Sequence, residues 1–149
     1  MSAALTLAVP EHLEALDKLV AAFHLEMGIE LNDAQRRAGL APLLEGIPHA
    51  AAYLIGPERA PIGYIILTFG WSVEFGGLDG CIDEIYIRPR VRGRGIASEV
   101  LQTLPRVLAG AGLKALNLEV RRDDEKTQKL YAKSGFTPRS AYMLMARSF

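Results

Sequence analysis

The sequence has only one cysteine, no excess of either charge and no long apolar run. Cys81 has no partner for an internal disulfide, which favours a reducing compartment. Lysine and arginine number 17 and are matched by 17 acidic residues, so the chain as a whole shows no electrostatic preference for nucleic acid or anionic membranes. No stretch approaches the roughly 18 apolar residues of a membrane span, and the N-terminus lacks a secretion signal. We therefore expect a cytoplasmic protein.

The length and composition predict one folded unit. The chain has 149 residues, and 50% of them are hydrophobic, which is enough to build one core. No repeat, linker or low-complexity segment interrupts the chain. We therefore expect a single domain over residues 1–149.

Hydrophobic periodicity divides the chain into strands and helices. One helix follows Pro10, and a second opens at Asn32, where Gln35 completes a capping box. Hairpin strands come next, then a long helix from Ile96, a fifth strand, and a helix over residues 124–134 that ends at Gly135. This order predicts an α/β fold with a mixed, mostly antiparallel sheet and helices on both faces. The predicted strands are residues 4–9, 50–55, 62–75, 81–88 and 115–120, with one or two closing strands in 136–147.

A turn rich in arginine and glycine, RVRGRG at residues 90–95, joins the fourth strand to the long helix. The first amides of a helix have no internal partner and attract anions, and Gly93 and Gly95 let a ligand approach the backbone. Arg90, Arg92 and Arg94 can contact phosphate oxygens with their planar guanidinium groups. The turn predicts a diphosphate-binding site, and the alternative is a structural turn with solvated arginines.

Two common phosphate motifs do not fit this turn. A nucleoside-triphosphate P-loop requires Gly-Lys-Ser/Thr, but Ile96 follows Gly95 here. A dinucleotide fingerprint requires an acidic residue about 20 positions further on, and Glu119 comes late and inside a predicted strand. Both readings are therefore weak.

Two motifs together resemble the GNAT superfamily of acetyl-CoA-dependent N-acetyltransferases. The first is RVRGRG preceded by DEIYIRP, and the second is LYAKSGF at residues 130–136. The resemblance implies the GNAT fold and direct transfer of an acetyl group from acetyl-CoA to a primary amine of a small molecule or peptide. It implies no metal, and it suggests a homodimer because family members are often dimers. The family's usual asparagine before the last helix is Asp124 here, which can cap the helix but cannot donate an amide hydrogen bond to acetyl-CoA.

The resemblance also implies which residues contact acetyl-CoA. Backbone groups of the fourth strand would pair with the pantetheine arm as an added strand does, and the turn would hold the diphosphate. The implied residues are Ile85, Tyr86, Ile87, Arg90, Arg92, Gly93, Arg94, Gly95, Ile96, Ala97, Asp124 and Tyr131.

Acetyl transfer requires a base, because an amine with a pKa of about 10.4 is mostly protonated at neutral pH. Glu84 is the first candidate. Glu119 is the second, since some family members carry a catalytic carboxylate on that strand, and a water relay to either is open. The alternative for each is an ion pair with an arginine. Strand alternation in DEIYI puts Ile82, Glu84 and Tyr86 on one face, and Asp83, Ile85 and Ile87 on the other.

The leaving thiolate requires a proton, since thiols ionise near a pKa of about 8.5. Tyr131 matches the tyrosine that fills this role in the family, and the alternative is a tyrosine that only packs. A two-step route through Cys81 is disfavoured because nothing near it in sequence supplies a base. His12, His24 and His49 show no metal-ligand spacing and are expected to be surface or core residues.

The acceptor is less well defined by the sequence. The segment after the first predicted helix carries Glu26, Glu30 and Asp33, which could attract a cationic amine or form a solvated helix edge. The alternative function is a non-catalytic acyl-CoA sensor or interaction module. A sensor would keep the arginine-glycine turn but has no need for Glu84 and Tyr131, so the enzyme is favoured.

Overall fold

The computed structural model describes residues 3–149, which form two compact units with a boundary after Glu119. The first unit holds all the strands and the three longer helices of the described chain, and the second runs from Val120 to Phe149. None of the helices in residues 3–149 has the length and apolar character needed to cross a bilayer. The strands are β1 (Leu5–Leu7), β2 (Ala50–Ile55), β3 (Gly63–Ser72), β4 (Gly77–Ile87) and β5 (Ala115–Leu118), and the helices are α1 (Leu13–Met27), α2 (Asp33–Leu44), α3 (Ile96–Gly110) and α4 (Glu125–Lys133).

The sheet has the order β1-β2-β3-β4-β5. The first three neighbouring pairs are antiparallel, and β5 is parallel to β4. A parallel pair requires a crossover connection, which α3 provides. The predicted α/β class with a mixed, mostly antiparallel sheet is confirmed.

Apolar side chains attach helices to both faces of the sheet. One cluster joins Leu16 and Val20 of α1 and Leu40 of α2 to Tyr64 and Ile66 of the sheet. The side chains of β3 that alternate with these, Ile65 and Leu67, are at most 1% exposed on the opposite face. Because α1 and α2 occupy the first face, the crossover helix α3 is the helix of the first unit that is left to cover the second, and its buried residues are Val100, Leu101 and Leu104.

Ion pairs fix α1 against α2. The Arg36 guanidinium donates to both carboxylate oxygens of Asp17 at 2.6 and 3.3 Å, and the two side chains are 9% and 7% exposed. Arg37 donates to Glu14 at 2.8 and 3.0 Å nearer the surface. The predicted capping box at the start of α2 is confirmed by two reciprocal hydrogen bonds of 3.0 and 2.8 Å between Asn32 and Gln35. The helix pair is therefore held in a defined position over β3 and β4.

A β-bulge interrupts β4 and corrects the predicted alternation. Glu84 lies across from Ile66, but Ile82 lies across from Leu67, so Asp83 is an extra residue. Because neighbouring residues of β3 face opposite sides, Ile82 and Glu84 do so too. The prediction that Ile82 shares a face with Glu84 is wrong, and so is the assignment of Asp83 to the opposite face from Glu84. The pairing of Glu84 with Tyr86 on one face is confirmed.

The predicted closing strands are also wrong, since residues 136–149 contain no strand. A turn bonds the Tyr142 amide to the Arg139 carbonyl, and Tyr142 to Met145 are all between 68% and 81% exposed. Local β-propensity does not form a strand without a partner and a buried face. The other predicted elements are confirmed, with ends displaced by a few residues.

Candidate active site

The arginine-glycine turn presents unbonded amides at the start of α3. Gly93 and Gly95 have φ angles of 77° and 78°, the left-handed region that glycine adopts without strain. After Arg92, the first amide in the described chain that donates back to the main chain is that of Glu99, to the Gly95 carbonyl at 3.0 Å. A Cβ added at either glycine would meet nothing within 4 Å, so the space beside both is open. This geometry suits the close approach of an anion.

The three arginines of the turn have different surroundings. The Arg92 Nε donates to the Ile87 carbonyl at 2.8 Å, and its two terminal nitrogens donate to Glu26 at 2.9 and 2.7 Å. This contact raises the pKa of Arg92 and lowers the pKa of Glu26. Arg90 and Arg94 are exposed and form no ion pair within residues 3–149. Two of the three guanidinium groups are therefore available to a ligand, and Arg92 links the turn to α1.

Glu84 is held on β4 by two hydrogen-bond partners. The Tyr64 hydroxyl donates to Oε1 at 2.7 Å, and Nε2 of His24 lies 2.8 Å from Oε2. The side chains of His24 and Glu84 are 10% and 16% exposed. Burial, followed by the Glu84 charge, raises the pKa of Tyr64, so its hydroxyl keeps its proton and remains a donor. The carboxylate therefore has a fixed orientation and no arginine partner.

A cavity of about 220 Å³ lies beside Glu84, between α1, α2 and the sheet. Leu31, Leu40 and Ile66 contribute apolar walls. Partial desolvation and the nearby Glu84 raise the pKa of Asp83, while His24 lowers it. The polar lining of the cavity comes from His24, Gln35, Arg36, Asp83 and Glu84.

A larger groove of about 650 Å³ lies elsewhere in the first unit, between β1, β2 and the end of α2. Its lining is mostly apolar and includes Val9, Ala52 and Phe69. Neither Glu84 nor His24 lines it. The smaller cavity, and not this groove, therefore adjoins the predicted base.

The end of β4 next to the turn has a free edge on the side of β5. The parallel pairing of β5 with β4 ends at Ile82. The backbone of Ile85 and Ile87 on that side has no partner in β5, and the Ile87 carbonyl accepts from Arg92. The Tyr86 ring packs in the aromatic cluster with Phe23 and Tyr64, and Tyr86 lies across from Tyr64 of β3, so the free backbone groups at this edge are those of Ile85 and Ile87.

The second candidate base, Glu119, follows β5 directly and is exposed. Its carboxylate forms no hydrogen bond or ion pair within residues 3–149. Burial raises the pKa of the Cys81 thiol, and the charges of Asp83 and Glu119 raise it further. The thiol is therefore poorly suited to form the thiolate that a nucleophile needs.

The second unit carries the remaining predicted residues. Asp124 caps α4, accepting from the Thr127 amide at 3.1 Å and the Thr127 hydroxyl at 2.7 Å, and these bonds lower its pKa. Tyr131 is buried, and its ring contacts Phe136 edge-on at 6.0 Å between centroids. Burial and the Asp124 charge raise the pKa of Tyr131, so it is a protonated phenol at neutral pH. The predicted left-handed cap, Gly135, has a φ of 98°.

Sequence reasoning missed His24 and Tyr64 as partners of Glu84. His24 continues the buried stripe of Leu16 and Val20 at intervals of four residues, which places it on the core face of α1. That spacing was the available signal. Tyr64 lies across from Tyr86 and diagonal to Glu84, which depends on a strand register that the sequence does not reveal. No group of three or more potential metal ligands occurs in residues 3–149.

Comparisons with known proteins identify the family. Residues 15–136 match the model of the "Acetyltransferase (GNAT) family". An "Acetyltransferase" of Yersinia pestis (strain Pestoides F) is 32% identical over 94 residues, which are 61% of this chain and 66% of that protein, so the match spans about two thirds of the relative.

Two solved structures have similar folds. "The crystal structure of a possible acetyltransferase from Clostridium difficile 630" has a TM-score of 0.86 at 16% identity and covers 100% of this chain and 99% of that one. AAC(6')-Iy, in complex with the bisubstrate analogue CoA-S-monomethyl-acetylneamine, has a TM-score of 0.77 at 16% identity and covers 100% of both chains. At this identity the two structures support the fold alone.

Proposed function

Because the chain belongs to the GNAT family of acetyl-CoA-dependent acetyltransferases, we propose that it transfers an acetyl group from acetyl-CoA directly to a primary amine of a small molecule or peptide. The observation that carries this proposal is the Glu84 carboxylate, fixed by Tyr64 and His24 at a cavity on the strand that leads into the arginine-glycine turn. One strand thus provides a base for the amine and a path to the anion-binding turn.

In this proposal the turn binds the diphosphate of acetyl-CoA. The amides from Gly93 into the first turn of α3, with the partial positive charge of the helix end, face the phosphates. The exposed Arg90 and Arg94 contact the outer oxygens, and Arg92 supports the turn through Glu26. The pantetheine arm extends along the edge of β4 and pairs with backbone groups of Ile85 to Ile87.

Glu84 removes the proton from the bound ammonium, directly or through one water. The amine nitrogen then attacks the acetyl carbonyl carbon and forms a C–N bond, the C–S bond breaks as the tetrahedral intermediate collapses, and the nitrogen releases its second proton to solvent. A backbone amide of β4 near the bulge can polarise the carbonyl oxygen. Glu119 is exposed and lacks such partners, which makes Glu84 the better supported base.

The departing thiolate takes a proton from a phenol, and Tyr131 is the proposed donor. Its raised pKa keeps the hydroxyl protonated at neutral pH, so that it has a proton to donate. Phe136 and the capped end of α4 fix the ring within the second unit.

The cavity beside Glu84 is the proposed acceptor site. Asp83 and Glu84 supply two acidic groups, and the positive charge of Arg36 is balanced by Asp17. An acceptor that enters as an ammonium ion is therefore favoured electrostatically. AAC(6')-Iy in complex with the bisubstrate analogue CoA-S-monomethyl-acetylneamine is a precedent for an acceptor bound beside CoA on this fold.

We also propose that residues 1–149 form one domain, since the family match crosses the boundary between the two units. A homodimer and a cytoplasmic location remain predictions from the sequence.

The test is a screen of primary amines with acetyl-CoA, in which the released thiol is followed for the native enzyme, Glu84→Gln and Tyr131→Phe. We expect turnover on at least one amine. Glu84→Gln should lower kcat by at least about 100-fold at neutral pH, because general-base catalysis supplies that much, and Tyr131→Phe should lower kcat by about tenfold or more.

Glu119→Gln is the matched control, because it removes the other candidate carboxylate. Acetyl-CoA affinity, measured by calorimetry, should be unchanged in Glu84→Gln. Binding of acetyl-CoA without turnover on any amine would favour the sensor and contradict the proposal. Loss of activity only in Glu119→Gln would transfer the role of base to Glu119.

A further inference from the structure

His24 forms one hydrogen bond and leaves one buried ring nitrogen without a partner. Its Nε2 lies 2.8 Å from Glu84 Oε2. Its Nδ1 is buried and has no hydrogen-bond partner among residues 3–149. A buried polar atom without a partner is costly, so this arrangement needs a physical reason.

The partners of Glu84 determine the tautomer of His24. If Glu84 is the base of the proposed function, it is ionised in the resting enzyme, and both of its oxygens accept hydrogen bonds. Oε1 accepts from Tyr64, and Oε2 therefore accepts from Nε2–H of His24. The unpaired Nδ1 then carries the lone pair. The other tautomer would leave a buried N–H without an acceptor and place a lone pair against the carboxylate.

We propose that His24 is a positioning residue for catalysis, which donates Nε2–H to Glu84 and holds that carboxylate oriented and ionised for proton removal from the amine. This inference rests on the proposed function. It gives α1 a part in positioning the base, although His24 lies 60 positions before Glu84 in the chain.

Charged and polar groups from three elements lie around the His24–Glu84 pair. Glu84 and Asp83 approach it from β4, Tyr64 from β3, and Arg36 from α2 lines the same cavity. A protonated ring would put a second N–H at the unpartnered Nδ1 site. A single donor, Nε2–H, is enough for Oε2 of Glu84.

The test compares His24→Leu, which removes the donor, with His24→Gln, whose amide nitrogen can occupy the position of Nε2 but cannot titrate. Because a hydrogen bond to a charged group is lost, His24→Leu should lower kcat by about tenfold or more, with KM for acetyl-CoA unchanged. The acid limb of its pH–rate profile should move to higher pH, since the ionised carboxylate loses a donor. His24→Gln should recover most of kcat and return the acid limb toward its original position.

Glu84→Gln, assayed beside these variants, separates the two proposals. If the native enzyme is active and Glu84→Gln is not, an unchanged kcat and acid limb in His24→Leu would overturn the role of His24. Equal loss in His24→Gln and His24→Leu without a change of the pH profile would show a packing effect and would also overturn it. If Glu84→Gln is fully active, the assignment of the base fails instead.

A measurement that does not depend on turnover is nitrogen NMR of the labelled imidazole. The native protein should show one tautomer with the proton on Nε2, and Glu84→Ala should give a mixture because the acceptor is gone. A proton on Nδ1 in the native protein would overturn the inference whatever the activity.

Discussion

At the scale of single residues, the position of the candidate site depends on a buried carboxylate in α1. Asp17 accepts from Arg36, and both side chains are almost fully removed from solvent. The same helix carries His24 about two turns further on, so a shift of α1 would displace the partner of Glu84. The ion pair therefore stabilises both the helix pair and the site.

We predict that Asp17→Ala lowers the free energy of unfolding by about 3 kcal/mol, because it leaves the Arg36 guanidinium buried with one partner fewer. Glu14→Ala is the matched control, since it removes the exposed partner of Arg37 from the same helix, and it should lower the free energy of unfolding much less. Urea denaturation of both variants measures the difference. Equal losses of unfolding free energy in the two variants would mean that burial of the Asp17–Arg36 pair does not add to its contribution to stability.

Residue types could be predicted better than their partners. Glu84, Gly93 and Gly95 follow from strand alternation and motif spacing, and the structure gives them geometry consistent with those roles. Arg92 was predicted as a phosphate ligand, but α1 supplies it with Glu26, which lies 66 positions away in sequence. Such contacts depend on how elements pack, and one sequence does not contain that information.

At the scale of elements, the turn before α3 is shaped by backbone that only glycine adopts easily. Gly93 and Gly76 have similar φ angles of 77° and 83°, and both have open space beside Cα. Gly76 lies in the turn between β3 and β4, away from the arginines in sequence. The two glycines therefore differ in their neighbours and not in their strain.

We predict that Gly93→Val raises the Kd for acetyl-CoA at least about tenfold, because its side chain fills the space at the amides. Gly76→Val should leave that Kd unchanged, although both variants pay about 1 to 2 kcal/mol of left-handed strain. Calorimetric titration with acetyl-CoA and thermal melts check both effects. An unchanged Kd in Gly93→Val, with the protein folded, would contradict the placement of the diphosphate.

Elements with local signals could be predicted, and those without them could not. The start of α2 follows from two hydrogen bonds between neighbours in sequence, Asn32 and Gln35. The bulge at Asp83 has no such signal, because an extra residue in a strand is defined only by the register of its partner. The C-terminal segment has strand-like composition, but its exposed side chains from Tyr142 to Met145 form no buried face.

At the scale of the whole molecule, the total charge is balanced, but the charged residues are unevenly distributed. The 17 basic residues and 17 acidic residues cancel, while arginines concentrate at one turn and carboxylates at one cavity. Several carboxyl groups have pKa values shifted by these neighbours. The sum of these pKa shifts determines how the free energy of unfolding depends on pH.

We predict that the free energy of unfolding falls as the pH drops below the ordinary values of 4.5 for Glu and 3.8 for Asp. Glu14, Glu26 and Asp124 have lowered pKa values in the fold, so the unfolded chain binds their protons first and is favoured as the pH falls. Asp83 acts in the opposite direction, because its pKa is raised. Urea midpoints between pH 6 and pH 3 measure the sum.

High salt should reduce this acid loss, since the Glu14 and Glu26 pairs with arginine are partly exposed and therefore screened. A midpoint that rises below the ordinary pKa of Glu would contradict the predicted sign. If the free energy of unfolding falls by the same amount at low pH at all salt concentrations, the surface ion pairs do not cause the fall.

The extra residue in β4 determines where a reporter group can be attached. Cys81 lies across from Thr68, which is on the Ile66 face of β3, so the thiol shares the Glu84 side of the sheet despite its odd number. It is also the single cysteine of the chain. A small fluorinated or spin-bearing thiol reagent would therefore label one position beside the proposed chemistry without any other cysteine having to be removed. The raised pKa of the thiol means that this labelling calls for alkaline buffer and long incubation.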